Sequence, residues 1–255
     1  MKKPILYVQR KAGTRSDILF DFGYSAKLGA NEIGIKVKTF EDSSTIPGDP
    51  TNIVVGSVEM CSEWLNAHGY GAPPAIDVYL FAQFTGRSMY TTDMNDLYTT
   101  SKNIPLSEWK PVFIKPYKEI KAFTGFVVDD PRLISLFSDR FEGEILVQDV
   151  IDIVSEYRVY IKGDRIIGVC NYSGDPLIFP DPIFIQECVD FSVKIIDNLS
   201  FALDFAVLAN GETTLIEAND GWAIGNYGVE PYYYYLFVRD RWLQMTGIRH
   251  KTDFR

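Results

Sequence analysis

The first third of the chain alternates short β-type runs with helical patterns. Ile5-Leu6-Tyr7-Val8 is an apolar run of strand length. Gly34 to Phe40 alternates apolar and polar side chains, as a strand with one buried face does. Asn52 to Gly56 reads as a short buried strand. Ser57 can cap a helix over Val58 to Ala67, which Gly69 ends. Asp42 to Thr51, rich in Ser, Pro, Gly and Asp, reads as a loop. Strand, helix and strand at this spacing predict an α/β lobe with parallel pairing. Residues 85–111 are polar and irregular, which predicts a lobe boundary there.

The texture then changes. Val112-Phe113-Ile114, Phe126-Val127-Val128 and Ile145 to Val150 read as strands. Tyr157 to Ile161 and Arg165 to Val169 form a predicted hairpin around Lys162-Gly163-Asp164. A helical pattern covers Ile183 to Leu199. A second hairpin joins Ala202–Leu208 to Thr214–Ala218 around Asn210-Gly211, a dipeptide that suits a two-residue turn with positive φ. Residues 230–245 read as an aromatic helix, and the Tyr run 232–235 as packing.

Composition narrows the function classes. With 255 residues, 25 Lys+Arg against 34 Asp+Glu and 46% hydrophobic residues, the chain is globular and acidic, with a net charge of −9. That balance argues against a nucleic-acid binder, which needs a basic face. No apolar run approaches the roughly 20 residues of a membrane span. Ile5 to Val8 is too short for a signal-peptide core and reads as a first strand, with no membrane contact expected, while three widely spaced cysteines without a disulfide framework lead to the expectation of a reducing, cytoplasmic setting. Cys61, Cys170 and Cys188 are too widely spaced for a Cys-x-x-Cys metal site, and Cys170 and Cys188 read as small apolar residues. His68 and His250 are the only histidines, and both read as surface residues. The chemistry is therefore expected from carboxylates, lysines and arginines.

Glu217 and Asn219 are two apart on a strand and so share a face. Asp204 on the partner strand falls opposite or diagonal to them. Two carboxylates and an amide oxygen are hard ligands suited to Mg2+, while an ordinary solvated sheet face is the plain alternative. Lys115 emerges from a strand end, where an ammonium can hold a phosphate as a point charge. The segment Tyr117 to Phe126 follows, a loop with Lys121 and a Thr124-Gly125 tip that either covers phosphates or is simply solvated. Gln148, Asp149, Val150 and Ile151 end a strand and can offer backbone groups to an adenine edge. Glu156 can accept from ribose hydroxyls. Arg158, two residues on, can contact a terminal phosphate or pair with a nearby acid such as Glu156.

The ordered set Ile114-Lys115-Pro116, flexible loop, Gln148 to Ile151, Ser155-Glu156-Tyr157-Arg158, Asp204 and Glu217-Ala218-Asn219 resembles the ATP-grasp superfamily. Lys121 to Gly125 and Glu217 to Gly221 look particularly like its R-to-K clade. The resemblance implies an α+β fold in which two α+β lobes hold ATP, preceded by a small α/β lobe. Residues 1–95 would form that lobe and 96–255 the ATP-grasp domain, with a phosphate-loop lobe over about 105–147 and a metal-binding lobe over about 148–245. It implies ATP and one or two Mg2+ as cofactors. Lys115, Lys121, Thr124 and Gly125 would meet phosphate, Gln148 to Ile151 adenine, and Glu156 ribose. Asp204, Glu217 and Asn219 would hold Mg2+. Many members carry an arginine two residues before the metal aspartate, where this chain has Ala202. Arg158 is the first candidate for the replacing cation and Lys194 the second.

The implied activity is an ATP-dependent carboxylate–amine or carboxylate–thiol ligase working through an acylphosphate. Its partners would be small-molecule or peptide substrates. A nucleotide-binding module without turnover, and a phosphotransferase that stops at phosphorylation, are the alternatives.

Overall fold

The structure is a computed structural model that describes residues 4–13, 18–119, 122–138 and 141–249. In chain order its elements are β1 (Ile5–Gln9), α1 (Asp21–Glu32), β2 (Lys36–Phe40), β3 (Ile53–Val55) and α2 (Val58–Ala67), then α3 (Ala82–Thr85), β4 (Met89–Asp93) and α4 (Met94–Ser101). Next come β5 (Val112–Pro116), β6 (Phe126–Val128), α5 (Ser135–Ser138) and β7 (Glu144–Asp149). The chain continues with β8 (Ile153–Lys162), β9 (Arg165–Gly174), α6 (Pro182–Ile195), β10 (Ser200–Leu208), β11 (Thr213–Asp220) and α7 (Pro231–Met245). These fall into two compact units, Met1–Pro73 with Val154–Arg255, and Pro74–Ile153.

The first unit holds two sheets. β1 pairs in parallel with β2 and β3 in the order β2-β1-β3, as the strand–helix–strand pattern predicts. The other sheet has the order β11-β10-β8-β9, with both predicted hairpins antiparallel. One core unites them: Leu6, Val8, Ile53 and Trp64 from the N-terminal segment pack with Tyr160, Ala202, Tyr234 and Trp242. α1 turns its small residues Gly23, Ala26, Gly29 and Ala30 inward. A Cβ on Gly29 would lie 2.0 Å from the Pro231 carbonyl oxygen, so glycine is what lets α1 meet the start of α7. The capping signals act as predicted for α2, where the Ser57 hydroxyl accepts from the Met60 amide. On α6 and α7, Asp181 and Glu230 cap and a proline opens each helix.

The second unit is one sheet, β4-β7-β5-β6, all antiparallel, with α4 packed on one face through Met94 and Leu97 against Ile114, Ile145 and Val147. This corrects the reading of residues 85–111 as an irregular boundary. β4 there pairs with β7 from Met89↔Gln148 to Asp93↔Glu144, and the Asp93 side chain caps α4. β4 is a polar edge strand with little apolar alternation, so its strand character comes from the partner. The two units divide the chain at 73/74 and 153/154, and residues 1–73 share their core with the C-terminal segment.

Candidate active site

In the first unit, β8, β9, β10 and β11 bring Glu156, Arg158, Tyr172, Asp204, Glu217 and Asn219 into one polar cluster. The Arg158 guanidinium donates from Nε to Asp204 Oδ1 and from Nη2 to Oδ2, both at 2.7 Å. Asn219 Nδ2 donates to the same Asp204 Oδ2 at 3.1 Å and lies 3.5 Å from Glu217 Oε2. The Tyr172 hydroxyl donates to Glu156 Oε2 at 2.9 Å. Arg158 therefore pairs with Asp204, not with Glu156.

Two β-bulges build this geometry. In the β10–β11 pair, Asp204 is opposite Glu217 but Phe205 is opposite Leu215, which leaves Ile216 as an extra residue. In the β8–β9 pair, Glu156 is opposite Ser173 and Tyr157 opposite Asn171, which leaves Tyr172 extra. A bulge re-aims the side chains around it, and here each one delivers a residue of the cluster. The loop after β11 supplies Tyr227. Asn226 fastens that loop by accepting from the Gly228 and Val229 amides, and the Tyr227 amide donates to the Tyr160 hydroxyl at 3.2 Å. The Tyr172 and Tyr227 rings stack at 5.1 Å, and the Arg158 guanidinium carbon lies 5.8 and 5.0 Å from their centroids.

The cluster is buried and short of positive charge. Asp204 is 3% exposed. Burial is the largest influence on its carboxyl and raises its pKa. Arg158 opposes that, while the charges of Glu217 and Glu156 add to it. For Arg158, burial works against the charge, but the bonds and attraction of Asp204 outweigh it and hold the guanidinium charged. Burial likewise raises the Tyr172 phenol, with Asp204 and Glu156 adding to it. Among the described residues no group of three or more His, Cys, Asp or Glu side chains is arranged to hold a metal. The donor set here is two carboxylates and an amide, with Asp204 and Glu217 directly paired across the strands. Hard oxygen donors in a net-negative cluster fit Mg2+, which completes its shell with water and phosphate.

Further along the same chain, Asp220 belongs to a different network. Arg241 binds it through Nε and Nη2 at 2.6 and 2.7 Å, and Arg241 Nη1 donates to Gln244. Lys194 is exposed in the last turn of α6 and makes no hydrogen bond or ion pair with the cluster.

The second unit carries the other expected nucleotide residues. Lys115 lies on β5 opposite Leu146, and Gln148 lies on β7 opposite Phe113. Their neighbours Ile114 and Val147 point into the core, so Lys115 and Gln148 share the opposite face. Gly125 lies against that face: a Cβ there would meet the Phe113 ring at 2.5 Å and Lys115 Cβ at 3.0 Å. Thr124 beside it is exposed, and Lys121 lies outside the described residues. Gln148 is buried, and its Oε1 accepts from Arg87 Nε at 2.6 Å. Asp149 ends β7 and accepts from the Ser88 amide. Val150 and Ile151 follow the strand, Val150 exposed and Ile151 partly so.

Three residues of these clusters are absent from the sequence-based set. Arg87 sits in the segment read as irregular. Tyr172 and Tyr227 carry no motif, and the alternation of β9 gives no sign of the bulge at Tyr172.

The family model for the ATP-grasp domain, R2K clade family 2, matches residues 84–237. Among solved structures, a RimK domain ATP-grasp protein from Sphaerobacter thermophilus is similar at 12% identity and a TM-score of 0.56, over 95% of this chain and 99% of that one. D-cycloserine synthetase DcsG reaches a TM-score of 0.62 at 11% identity, covering 93% of this chain and 99% of its own. D-alanyl-alanine synthetase A from Vibrio cholerae reaches 0.56 at 11% identity, covering 96% of each chain. No curated protein matches the sequence. At these identities the structural likeness speaks for the fold, and the family match speaks for descent. The chain belongs to the ATP-grasp domain family, R2K clade family 2.

Proposed function

We propose that the protein is an ATP-dependent ligase that activates a carboxylate as an acylphosphate and joins it to an amine or a thiol. The observation that carries this reading is the cluster of Arg158, Asp204, Glu217 and Asn219 on adjacent strands of the first unit. The synthetase names of two structural relatives support it as analogy. In this assignment Lys115, Lys121, Thr124 and Gly125 meet phosphate, and Gln148, Asp149, Val150 and Ile151 meet adenine. Glu156 meets ribose, and Asp204, Glu217 and Asn219 hold one or two Mg2+. When bound, Mg2+ supplies charge neutralisation on the phosphate oxygens.

The chain's own residues do the rest by positioning and charge. A substrate carboxylate oxygen bonds to the γ-phosphorus while the bond to the β,γ-bridging oxygen breaks, and ADP leaves with that electron pair. The amine or thiol then bonds to the acyl carbon, phosphate leaves, and the nucleophile's proton passes to phosphate or water. Negative charge gathers on the transferring group, so a fixed cation lowers the barrier. Arg158 suits that role. Its Nη1 makes no hydrogen bond among the described residues and is not one of the sealed, unpartnered polar atoms of the interior. Lys194, exposed on α6, is the weaker choice.

The test is ADP and phosphate release on presenting amino acids and short peptides, with product analysis by mass spectrometry. An amide or thioester product supports the ligase. A stable phosphorylated product identifies a phosphotransferase. Nucleotide binding without turnover on any acceptor identifies a binding module.

A further inference from the structure

We propose that Arg87 holds the Gln148 side-chain amide in one orientation and that this amide reads the purine of the nucleotide, with Nε2 donating to its N7. The inference rests on the nucleotide-binding role proposed above for Gln148.

Arg87 stands just ahead of β4, where Gly86, with φ 58°, ends α3 in the left-handed conformation. Its guanidinium is anchored at two points. Nη1 donates to the Thr85 carbonyl at 3.0 Å, and Nε donates to Gln148 Oε1 at 2.6 Å. The backbone beside the pair is clasped as well. The Ser88 amide donates to Asp149 Oδ2 at 3.0 Å, and the Asp149 amide donates to the Ser88 carbonyl at 3.1 Å. Met89, next along, is directly opposite Gln148 in the sheet.

The chemistry of the pair decides how the amide lies. A guanidinium has donors only, so the amide atom it meets is the oxygen, and the nitrogen takes the other arm. A flip would set two donors against each other. Gln148 is 4% exposed, yet its Nε2 makes no hydrogen bond among the described residues and is not one of the sealed, unpartnered polar atoms of the interior. A donor kept open at an otherwise buried residue is available to a ligand. Lys115 lies diagonal to Gln148 on the same face of the sheet, and Gly125 lies against that face. The open donor is therefore among the residues assigned above to the nucleotide.

The purine narrows the acceptor. Adenine sets its 6-amino group beside N7, a donor next to an acceptor, and a glutamine amide pairs with both at once. A carbonyl oxygen has two lone pairs, so Oε1 can accept from Arg87 and from the 6-amino group while Nε2 donates to N7. Guanine sets O6 beside N7, two acceptors, and the fixed oxygen would face O6. The amide locked by Arg87 thus selects adenine.

The test measures binding of ATP, 7-deaza-ATP and GTP, each with Mg2+, to folded wild type and variants by titration calorimetry. 7-Deaza-ATP carries a C–H in place of N7 and is otherwise ATP. Wild type should bind it, and GTP, about tenfold or more weaker than ATP, the scale of one donor or acceptor left unpaired in a buried site. Gln148→Glu keeps a partner for Arg87 but has no N–H, so it should bind ATP and 7-deaza-ATP within about twofold of each other. Arg87→Met should lose most of the discrimination between those two, and Arg87→Lys, again a donor without an acceptor, should retain it. Equal binding of ATP and 7-deaza-ATP by wild type overturns the proposal, as does wild-type discrimination by Gln148→Glu. GTP bound as tightly as ATP overturns the selection of adenine. Arg87→Met that weakens both adenine nucleotides alike, with discrimination intact, overturns the orienting role of Arg87 and leaves it a structural one. Absence of ATP binding by wild type overturns the nucleotide reading itself. Where a variant does not fold, the comparison of the three nucleotides on wild type decides.

Discussion

Asp204 faces Glu217 across β10 and β11 because Ile216 is an extra residue in β11. The next pair along the hairpin is Phe205 opposite Leu215, one residue on in β10 and two residues back in β11. Leu215 is fully buried in the interior, and strict alternation would send Glu217 to the same face as Leu215. The bulge reverses that parity and sets the carboxylate beside Asp204. A site that needs two like charges side by side must be built into the backbone, because their repulsion resists it.

Glu217→Gln is expected to remove turnover and to weaken Mn2+ binding while leaving the fold intact. The amide keeps the shape and loses the charge, and it relieves the repulsion that helps raise the Asp204 carboxyl. Thermal unfolding at or above the wild-type midpoint, together with loss of ADP release, is the expected pair of results. Near wild-type turnover would remove Glu217 from the metal set.

Asp204→Ala tests the buried ion pair as a structural element. The side chains of Arg158 and Asp204 are only 10% and 4% exposed. Removing the carboxylate leaves a guanidinium in the interior with its two bonds gone. Breaking such a pair costs about 3–5 kcal/mol, with Glu217 and Glu156 nearby to moderate it. Urea denaturation should show a loss of at least about 2 kcal/mol, within the range for orphaned buried polar partners. Asp204→Asn, which keeps one acceptor, should lose less. Unchanged stability in Asp204→Ala would mean that the pair holds nothing together.

Lys115→Ala should weaken ATP binding by about 1–3 kcal/mol, the scale of hydrogen bonds to charged groups. Lys115 alternates with the buried Ile114 on β5, so the strand orients the lysine and its loss should not disturb the core. Titration calorimetry with ATP and Mg2+ measures the change. An unaltered affinity in a folded variant would take Lys115 out of the phosphate site.

Gly29→Ala should destabilise the first unit although alanine favours helices. The added methyl would meet the Pro231 carbonyl oxygen at 2.0 Å, with backbone on both sides. Separating α1 from α7 would cost about 1–3 kcal/mol, as overpacking of a tight core does. Thermal unfolding of the variant measures it, and an unchanged midpoint would show that the two helices can part without cost.

The local pattern alone was enough for the parallel pairing of β1, both C-terminal hairpins, the cap of α2, and the face that Glu217 shares with Asn219 opposite Asp204. Each of these depends on near neighbours in sequence: an alternation, an Asn-Gly turn, a hydroxyl ahead of a helix. The ATP-grasp resemblance was legible for a related reason, since its residues follow one another in a fixed order along the chain. Tertiary structure decided the rest. β4 is a strand because β7 pairs with it, and its own polar sequence has no means of saying so. Residues 1–73 share a core with residues far along the chain because Gly29 meets Pro231 and Trp64 meets Trp242, contacts that no local period encodes. The partner of Arg158 was settled the same way. Glu156 is the acid nearest to it in sequence, but successive strands of the sheet lay Asp204 beside it, and two bulges turn Tyr172 and Glu217 into its surroundings. Hydrogen-bond register is a relation between strands, so a single strand's sequence carries the faces of its side chains only up to the first extra residue.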